Sequence, residues 1–204
     1  MGLPDCLFDP SALLVPDTSV LINLNATGCA VQIFEALANK IAITDVVIRE
    51  LETGQAKGRT DAGLVDHLLA SGLAERVALT AECEEAFLGL VAGPGQATLD
   101  DGEAATIAWA AANMGVPVID EKKGLAICRE RFATLKPCST LDIFAHQRVI
   151  EKLGNPGLSD ALYNALFHAR MRVPEDRIPW VIGIIGQSRA KECTSLPRSV
   201  REGA

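Results

Sequence analysis

The stretch VPDTSVLINL, residues 15–24, decides the fold, because an apolar run ends there on a carboxylate. Residues 12–15 are Ala-Leu-Leu-Val, which is typical of a buried strand, and Asp17 follows just before a second apolar segment. Aspartate in this position has two interpretations. It caps the helix that follows, or it forms one wall of a site at the end of the strand.

Strand-like and helix-like patterns alternate along the rest of the chain. The predicted strands are Leu13–Val15, Ile41–Thr44, Arg76–Leu79, Pro117–Ile119 and a weaker one at Thr134–Lys136. The predicted helices are Ser19–Asn25, Ala30–Ala38, Val46–Glu52, Asp61–Ala70, Glu82–Val91, Asp101–Met114, Glu121–Glu130, Leu141–Lys152 and Ser159–Met171. This alternation predicts an α/β fold, a three-layer α/β/α sandwich around a mostly parallel sheet of about five strands.

Two glycine-containing stretches, Thr53–Thr60 and Ala92–Leu99, are predicted to be loops. Prolines interrupt the chain after Arg172, where only the apolar segment IPWVIGII, residues 178–185, is expected to pack. We therefore expect one domain over residues 1–172 and a C-terminal extension of unknown role over residues 173–204.

The composition limits the classes of function. Of the 204 residues, 49% are hydrophobic, so a substantial core can form, whereas only 4% are aromatic, which argues against a base-stacking platform. With neither a run of about 20 apolar residues nor a secretory signal, we expect a cytoplasmic protein without a membrane segment. The six cysteines are scattered, which predicts reduced thiols rather than a zinc site.

The charge is uneven along the chain. A net charge of −7 normally argues against binding nucleic acid. Residues 170–204, however, hold seven Arg or Lys and four Asp or Glu, so a basic tail follows an acidic body. This distribution weakens the argument against nucleic acid without removing it, and a solvated tail explains it equally well.

Four acidic residues are predicted to converge. Asp17 and Asp120 each end a predicted strand, and neighbouring parallel strands bring such residues to one edge of the sheet. Glu50 and Glu103 lie on the apolar faces of their predicted helices, where a carboxylate is costly unless it is paired or binds a metal.

Each acid also has a purely structural interpretation. Asp17 and Asp120 suit helix N-caps, and Glu50 could reach water from the edge of its helix. Glu103 follows Asp100 at the spacing of a capping box.

If the four carboxylates converge, their mutual repulsion requires protons or a cation, and an all-oxygen ligand set favours Mg²⁺ or Mn²⁺. A hard divalent ion in an acidic pocket suggests phosphodiester hydrolysis. Either Asp101 or Glu121 could then orient the attacking water, and the sequence does not choose between them.

The chain resembles the PIN-domain family of nucleases. The resemblance is carried by PDTSVLINL, ITDVVIREL, DDGEAATIAWA and PVIDEKKG, in that order, and the C-terminal half is similar to VapC-type toxins. It implies a Mg²⁺- or Mn²⁺-dependent ribonuclease site whose catalytic and metal-binding acids are Asp17, Glu50, Glu103 and Asp120. It also implies supporting roles for polar residues near the first and last acids, which are Thr18 or Ser19 and Ser139 or Thr140. For Ser139 and Thr140 the alternative is a helix cap with Asp142 as box partner.

The same resemblance implies RNA as substrate, an antitoxin as protein partner and a homodimer. Lys122 and Lys123 are candidate phosphate contacts, with solvated surface charges as the alternative. A PIN-like binding or assembly module without catalysis is the alternative function. A dinucleotide site is disfavoured, since no G-x-G-x-x-G follows the first strand.

Overall fold

The structure is a computed structural model that describes residue 7, residues 9–92 and residues 98–202. Its strands are β1 (Leu14–Pro16), β2 (Ile41–Thr44), β3 (Ala74–Val77) and β4 (Val116–Val118). Its helices are α1 (Thr18–Ala26), α2 (Ala30–Leu37), α3 (Asp45–Gln55), α4 (Asp61–Ala70), α5 (Ala81–Val91), α6 (Asp101–Asn113), α7 (Lys122–Arg131), α8 (Thr140–Phe144), α9 (Gln147–His168), α10 (Ile178–Ile185), α11 (Gln187–Glu192) and α12 (Arg198–Glu202).

The four strands form one parallel sheet in the order β3-β2-β1-β4. In the β1–β4 pair, Leu14 is level with Val116 and Pro16 is level with Val118. The chain leaves both strands at the same edge of the sheet, so Asp17 and Asp120 lie there as neighbours. This register confirms the predicted placement of the two strand-end acids at one edge of the sheet.

Helices cover both faces of the sheet, because successive strand residues point to opposite sides. Leu14 and Ile41 belong to a core cluster with α1, α2, α4, α9 and α10. Val15 and Ala42 belong to a second cluster with α5, α6 and α7. The three-layer α/β/α prediction is therefore confirmed.

The described part of the sheet has four strands rather than about five. The weak prediction at Thr134–Lys136 is wrong, since the chain there makes only an isolated bridge between Cys138 and Val118. Pro137 precedes the bridge and lacks the N–H that a continued ladder would need.

The helix predictions between residues 141 and 171 have the wrong boundaries. The predicted helix Leu141–Lys152 is divided between α8 and α9, and α9 runs on to His168 instead of Met171. Gly154 interrupts α9 with φ 64° and ψ 170°. The break predicted between the helices Leu141–Lys152 and Ser159–Met171 is therefore present as a kink in α9. The positive φ of Gly154 explains why a glycine is found there.

Smaller differences affect the loops. Helix α3 continues through Gln55, so the loop predicted for Thr53–Thr60 is shorter than expected. The predicted loop Ala92–Leu99 lies mostly outside the described residues. Met114 ends α6 in the left-handed region with φ 54°, and its side chain is 90% exposed.

The tail beyond Arg172 is more regular than expected. The segment IPWVIGII forms α10, and its Val181 and Ile185 enter the same core cluster as Leu162 and Leu166 of α9. The C-terminal helices are thus anchored to the body of the protein by apolar packing.

The cysteines differ in oxidation state. Cys29, Cys83, Cys128 and Cys193 are free thiols, as predicted. Cys138 is disulfide-bonded, so the expectation of reduced thiols is wrong for this residue.

Within the described residues, no individual helix has the length and apolar character to cross a membrane, and the one helix pair that passes on length and composition, α1 with α2, is bent by 114°.

Candidate active site

Asp17 both caps a helix and carries a buried charge. Its Oδ1 accepts a hydrogen bond from the Val20 backbone N–H at 2.8 Å, and the Ser19 hydroxyl donates to the same oxygen at 2.9 Å. The residue is only 1% exposed. Burial, followed by the charges of Asp120 and Glu103, raises the pKa of Asp17 well above its usual range. The N-cap interpretation is correct, and it leaves this carboxylate electrostatically strained.

Asp120 is held by three donors from the protein. Its Oδ1 accepts from the Thr140 backbone N–H at 2.7 Å. Its Oδ2 accepts from the Thr140 hydroxyl at 2.6 Å and from the Asn23 amide at 2.7 Å. Burial raises the pKa of Asp120, although these hydrogen bonds oppose the shift. Asp120 is not the cap of α7, whose N-cap is Glu121, so the structural interpretation of Asp120 is wrong.

Glu50 faces inward from α3, as its helical spacing predicts. Its Oε2 accepts from the Thr18 hydroxyl, and its Oε1 accepts from the Gly102 backbone N–H at 2.9 Å. The neighbouring Arg49 and Glu52 are exposed. A Cβ atom on Gly102 would lie 2.5 Å from Glu50 Oε2, so only glycine allows this close approach.

Glu103 is the least satisfied of the four acids. In the described part of the chain, its buried Oε1 has no hydrogen-bond partner, and the side chain of Asp100 makes no capping bond, so no capping box forms. Burial, followed by the charges of Glu121 and Asp100, raises the pKa of Glu103 from 4.5 to about 7, while Lys123 opposes the shift. A Cβ atom on Gly124 would lie 2.7 Å from Glu103 Oε1, so α7 approaches this carboxylate closely.

A cavity of about 620 Å³ lies between these elements. The acidic residues that line it are Asp17, Glu50, Asp100, Asp101, Glu103 and Glu121. None of its described lining residues is a Lys or Arg. Asp120 is not among the lining residues. The structure therefore brings three of the four predicted acids to one cavity and places the fourth beside Asp17.

The carboxylates share a cavity without closing around one point. Among residues 7, 9–92 and 98–202, no three His, Cys, Asp or Glu side chains are close enough together to hold one ion as they stand. Glu50 and Asp120 are instead directed toward protein donors.

Residues 13–174 match the family described as a PIN domain, DUF3368. The chain belongs to the PIN-domain family. No curated protein and no solved structure matches it. PIN domains are generally nucleases that use divalent metal ions, so this fold carries a nuclease-type module, and the acid-lined cavity is its candidate active site.

The supporting residues predicted for this PIN domain are largely beside the acids. Thr18 contacts Glu50, Ser19 contacts Asp17, and Thr140 contacts Asp120. Ser139 forms a complete capping box with Asp142 at the start of α8, so its structural interpretation is correct.

The charged residues at the rim of the cavity differ in their contacts. Asp101 is exposed, whereas Glu121 forms an ion pair with Arg172. Lys122 is exposed, and exposed Lys123 donates to the Thr98 carbonyl. Lys123 is the nearer candidate for a phosphate contact, because its charge acts on Glu103.

Sequence reasoning missed three residues of the site: Asn23, Gly102 and Gly124. Asn23 is a polar residue in the apolar run VLINL, and Gly102 lies in the first turn of a predicted helix rich in alanine. Both are recognisable signals, since a buried amide needs a partner and a glycine within a predicted helix usually has a packing reason. Gly124, inside the predicted helix Glu121–Glu130, carries the same signal as Gly102.

The donors present fit a hard divalent cation. They are all carboxylate oxygens, which suit Mg²⁺ or Mn²⁺ better than zinc. The raised pKa values of Asp17, Glu103 and Asp120 show that negative charge is under-compensated. The buried Glu103 Oε1 without a donor is an oxygen that a cation would satisfy.

Proposed function

We propose that this PIN domain is a divalent-metal-dependent endoribonuclease that hydrolyses RNA phosphodiester bonds. The observation that carries the proposal is the buried Glu103 oxygen without a hydrogen-bond donor, in a cavity lined by six acids. Phosphate would be repelled by such a cavity unless a cation intervened.

Asp17, Glu50 and Glu103 would hold the ion, with Asp120 next to Asp17. A bound Mg²⁺ or Mn²⁺ supplies Lewis-acid chemistry, which neutralises phosphate charge and makes water nucleophilic near neutral pH. The protein groups prepare this arrangement in advance: Thr18 and Gly102 orient Glu50, and Ser19 orients Asp17. Such outer contacts fix the direction of ligand oxygens.

Of the two candidates for orienting water, Asp101 is better placed than Glu121. Both residues line the cavity, but Asp101 is exposed, whereas Glu121 is engaged in an ion pair with Arg172. A general base must be free to contact the water that it orients. We therefore assign the proton-accepting role to Asp101.

The biological role proposed is that of a toxin controlled by an antitoxin, acting in the cytoplasm as a homodimer. Support comes from the similarity of the C-terminal half to VapC-type toxins and from the charge of the cavity. An Arg side chain from an antitoxin would be complementary to the six acids.

The test uses a matched pair of variants on one helix. Glu50→Gln should lower metal-dependent cleavage of a fluorescent RNA by roughly 100-fold, whereas Glu52→Gln, on the exposed side of α3, should retain wild-type activity. Asp17→Asn should also be inactive while keeping its helix cap, since Asn caps as well as Asp. Equal RNA cleavage by the wild type and Asp17→Asn, with or without EDTA, would contradict the proposal.

A catalytically silent PIN-like module is the alternative. No three acidic side chains in the described residues lie close enough together to hold one ion. Asp120 already accepts hydrogen bonds from three protein donors. Both observations favour this alternative. Calorimetric titration with Mn²⁺ distinguishes the two functions. Absence of binding at millimolar Mn²⁺ supports the silent module, and binding that Glu103→Gln removes supports the nuclease.

A further inference from the structure

A continuous series of polar contacts connects the C-terminal segment to the candidate active site. It begins at Arg177, which ends the short 3₁₀ helix Glu175–Arg177 just before α10. The Arg177 Nη2 donates to Asp142 Oδ1 at 3.2 Å. Only 28% of the Arg177 side chain and 15% of the Asp142 side chain are exposed, so this ion pair is less screened by water than a surface pair.

Asp142 divides its two oxygens between the tail and helix α8. While Oδ1 faces Arg177, Oδ2 accepts from the Ser139 backbone N–H at 2.9 Å and from the Ser139 hydroxyl at 2.8 Å. The Asp142 backbone N–H donates back to the Ser139 hydroxyl at 3.3 Å. The capping box is therefore fixed from outside by a guanidinium group.

The next residue after the cap holds a carboxylate of the site. Thr140 is buried, and its backbone N–H and hydroxyl both donate to Asp120, at 2.7 and 2.6 Å. Because Thr140 is the first residue of α8, any rotation of the first turn of α8 would move both donors. The orientation of Asp120 thus depends on the geometry that the Ser139–Asp142 box maintains.

Arg177 is itself firmly placed. Helix α10 follows it directly, and Val181 and Ile185 anchor that helix in the main core. Arg177 lies beyond residues 13–174, the segment that matches the PIN-domain family.

We propose that Arg177 is a positioning residue for the candidate active site: by holding Asp142, it fixes the first turn of α8 and so the two Thr140 hydrogen bonds that orient Asp120. The catalytic part of this inference rests on the proposed nuclease function, whereas the positioning part does not. The C-terminal segment then contributes to the site and is more than an appended tail.

The test compares three variants in the full chain. Arg177→Met removes the charge and keeps an apolar stem, Arg177→Lys keeps the charge, and Arg198→Met is the control, because Arg198 pairs with Glu202 on the exposed surface of α12. Hydrogen exchange of the Thr140 amide is measured in metal-free protein, with the Leu68 amide in the core as internal reference. RNA cleavage and thermal unfolding are measured in parallel.

Arg177→Met should accelerate exchange at Thr140 and leave exchange at Leu68 unchanged. It should lower kcat roughly 10-fold while KM stays within about 2-fold, because a supporting contact is lost and no substrate contact is. Arg177→Lys should restore most of the activity, and Arg198→Met should behave as wild type. Combining Arg177→Met with Asp142→Asn should give no further loss beyond the larger single effect, because both changes break the Arg177–Asp142 ion pair.

Unchanged Thr140 exchange in Arg177→Met would overturn the inference, as would additive losses in the double variant. Uniformly faster exchange at Thr140 and Leu68 would also overturn it, because that pattern indicates general destabilisation. If wild-type protein fails to cleave RNA, the proposed nuclease function fails, and the exchange comparison still decides whether Arg177 positions Asp120.

Discussion

Two acids of the candidate site, Asp120 after β4 and Glu103 in the first turn of α6, are held in opposite ways. On the β4 side, Asp120 receives three hydrogen bonds, from Asn23 and from Thr140. On the α6 side, Glu103 has a buried oxygen that receives none from the described residues, and its pKa is raised to about 7. One carboxylate is oriented by the protein, and the other is left with an unmet demand for positive charge.

The difference indicates that Asp120 and Glu103 have different roles within the proposed site. A ligand that is already oriented reduces the cost of organising the site, whereas an uncompensated ligand supplies the attraction for a cation. Removing the uncompensated charge of Glu103 should therefore stabilise the metal-free protein, whereas removing a hydrogen-bond donor from Asp120 should destabilise it. These two substitutions should then have opposite effects on stability while both lower activity.

The largest effect is expected for Glu103→Gln. The variant should lose roughly 100- to 1,000-fold of the metal-dependent RNA cleavage rate. It should also be more stable than the wild type in EDTA at about pH 8, by roughly 2–4 °C in Tm, because a buried charge is removed. Cleavage kinetics and calorimetry check the two halves, and a Tm below that of the wild type would show that Glu103 is satisfied after all.

A smaller effect of opposite sign on stability is expected for Thr140→Val. The change deletes the hydroxyl that donates to Asp120 and keeps both the shape and the backbone N–H. Stability should fall by about 1 kcal/mol because one hydrogen bond to a buried carboxylate is lost, and cleavage should fall roughly 10-fold. Urea unfolding measures the first effect. Thr53→Val, on the exposed side of α3, is the matched control.

The smallest effect is a pH dependence of the metal-free protein. The folded-state pKa of Glu103, about 7, lies above its ordinary 4.5, so the folded protein keeps a proton that the unfolded chain has lost. Folded-state stability is therefore lost as pH rises from about 4.5 through about 7, and the raised pKa of Asp17 acts in the same direction. Relative to Glu103→Gln, the wild type in EDTA should lose roughly 2–4 °C of Tm between about pH 5.5 and about pH 8. Added Mn²⁺ should remove this difference at the higher pH, and parallel Tm curves for the two proteins would contradict the expectation.

The fold was predictable because short apolar strands and longer amphipathic helices differ in period. The bounds of β2, Ile41–Thr44, were predicted correctly, since its first three residues are apolar and all four are buried. The false strand at Thr134–Lys136 shows the limit of this signal. Whether a short segment joins a sheet depends on the number of ladder partners that it finds, and here only Cys138 finds one.

The site was predictable only in part, because contacts remote in sequence determine the state of each acid. The spacing of Asp100 and Glu103 suits a capping box and an open carboxylate equally well, and only the tertiary structure shows that the box is absent. The donors to Asp120 come from positions 20 and 97 residues away. No local sequence pattern predicts such partners. The same holds for Arg177, which contacts Asp142, 35 residues earlier in the chain.

The exposed side chain of Met114 is a suitable position for attaching a label. Met114 lies two residues before β4, whereas Asp120 lies two residues after the same strand, so the two positions are at opposite ends of it. Its side chain is 90% exposed. A dye or surface tether attached there would leave the mouth of the cavity facing solution, which suits immobilised and single-molecule assays of turnover.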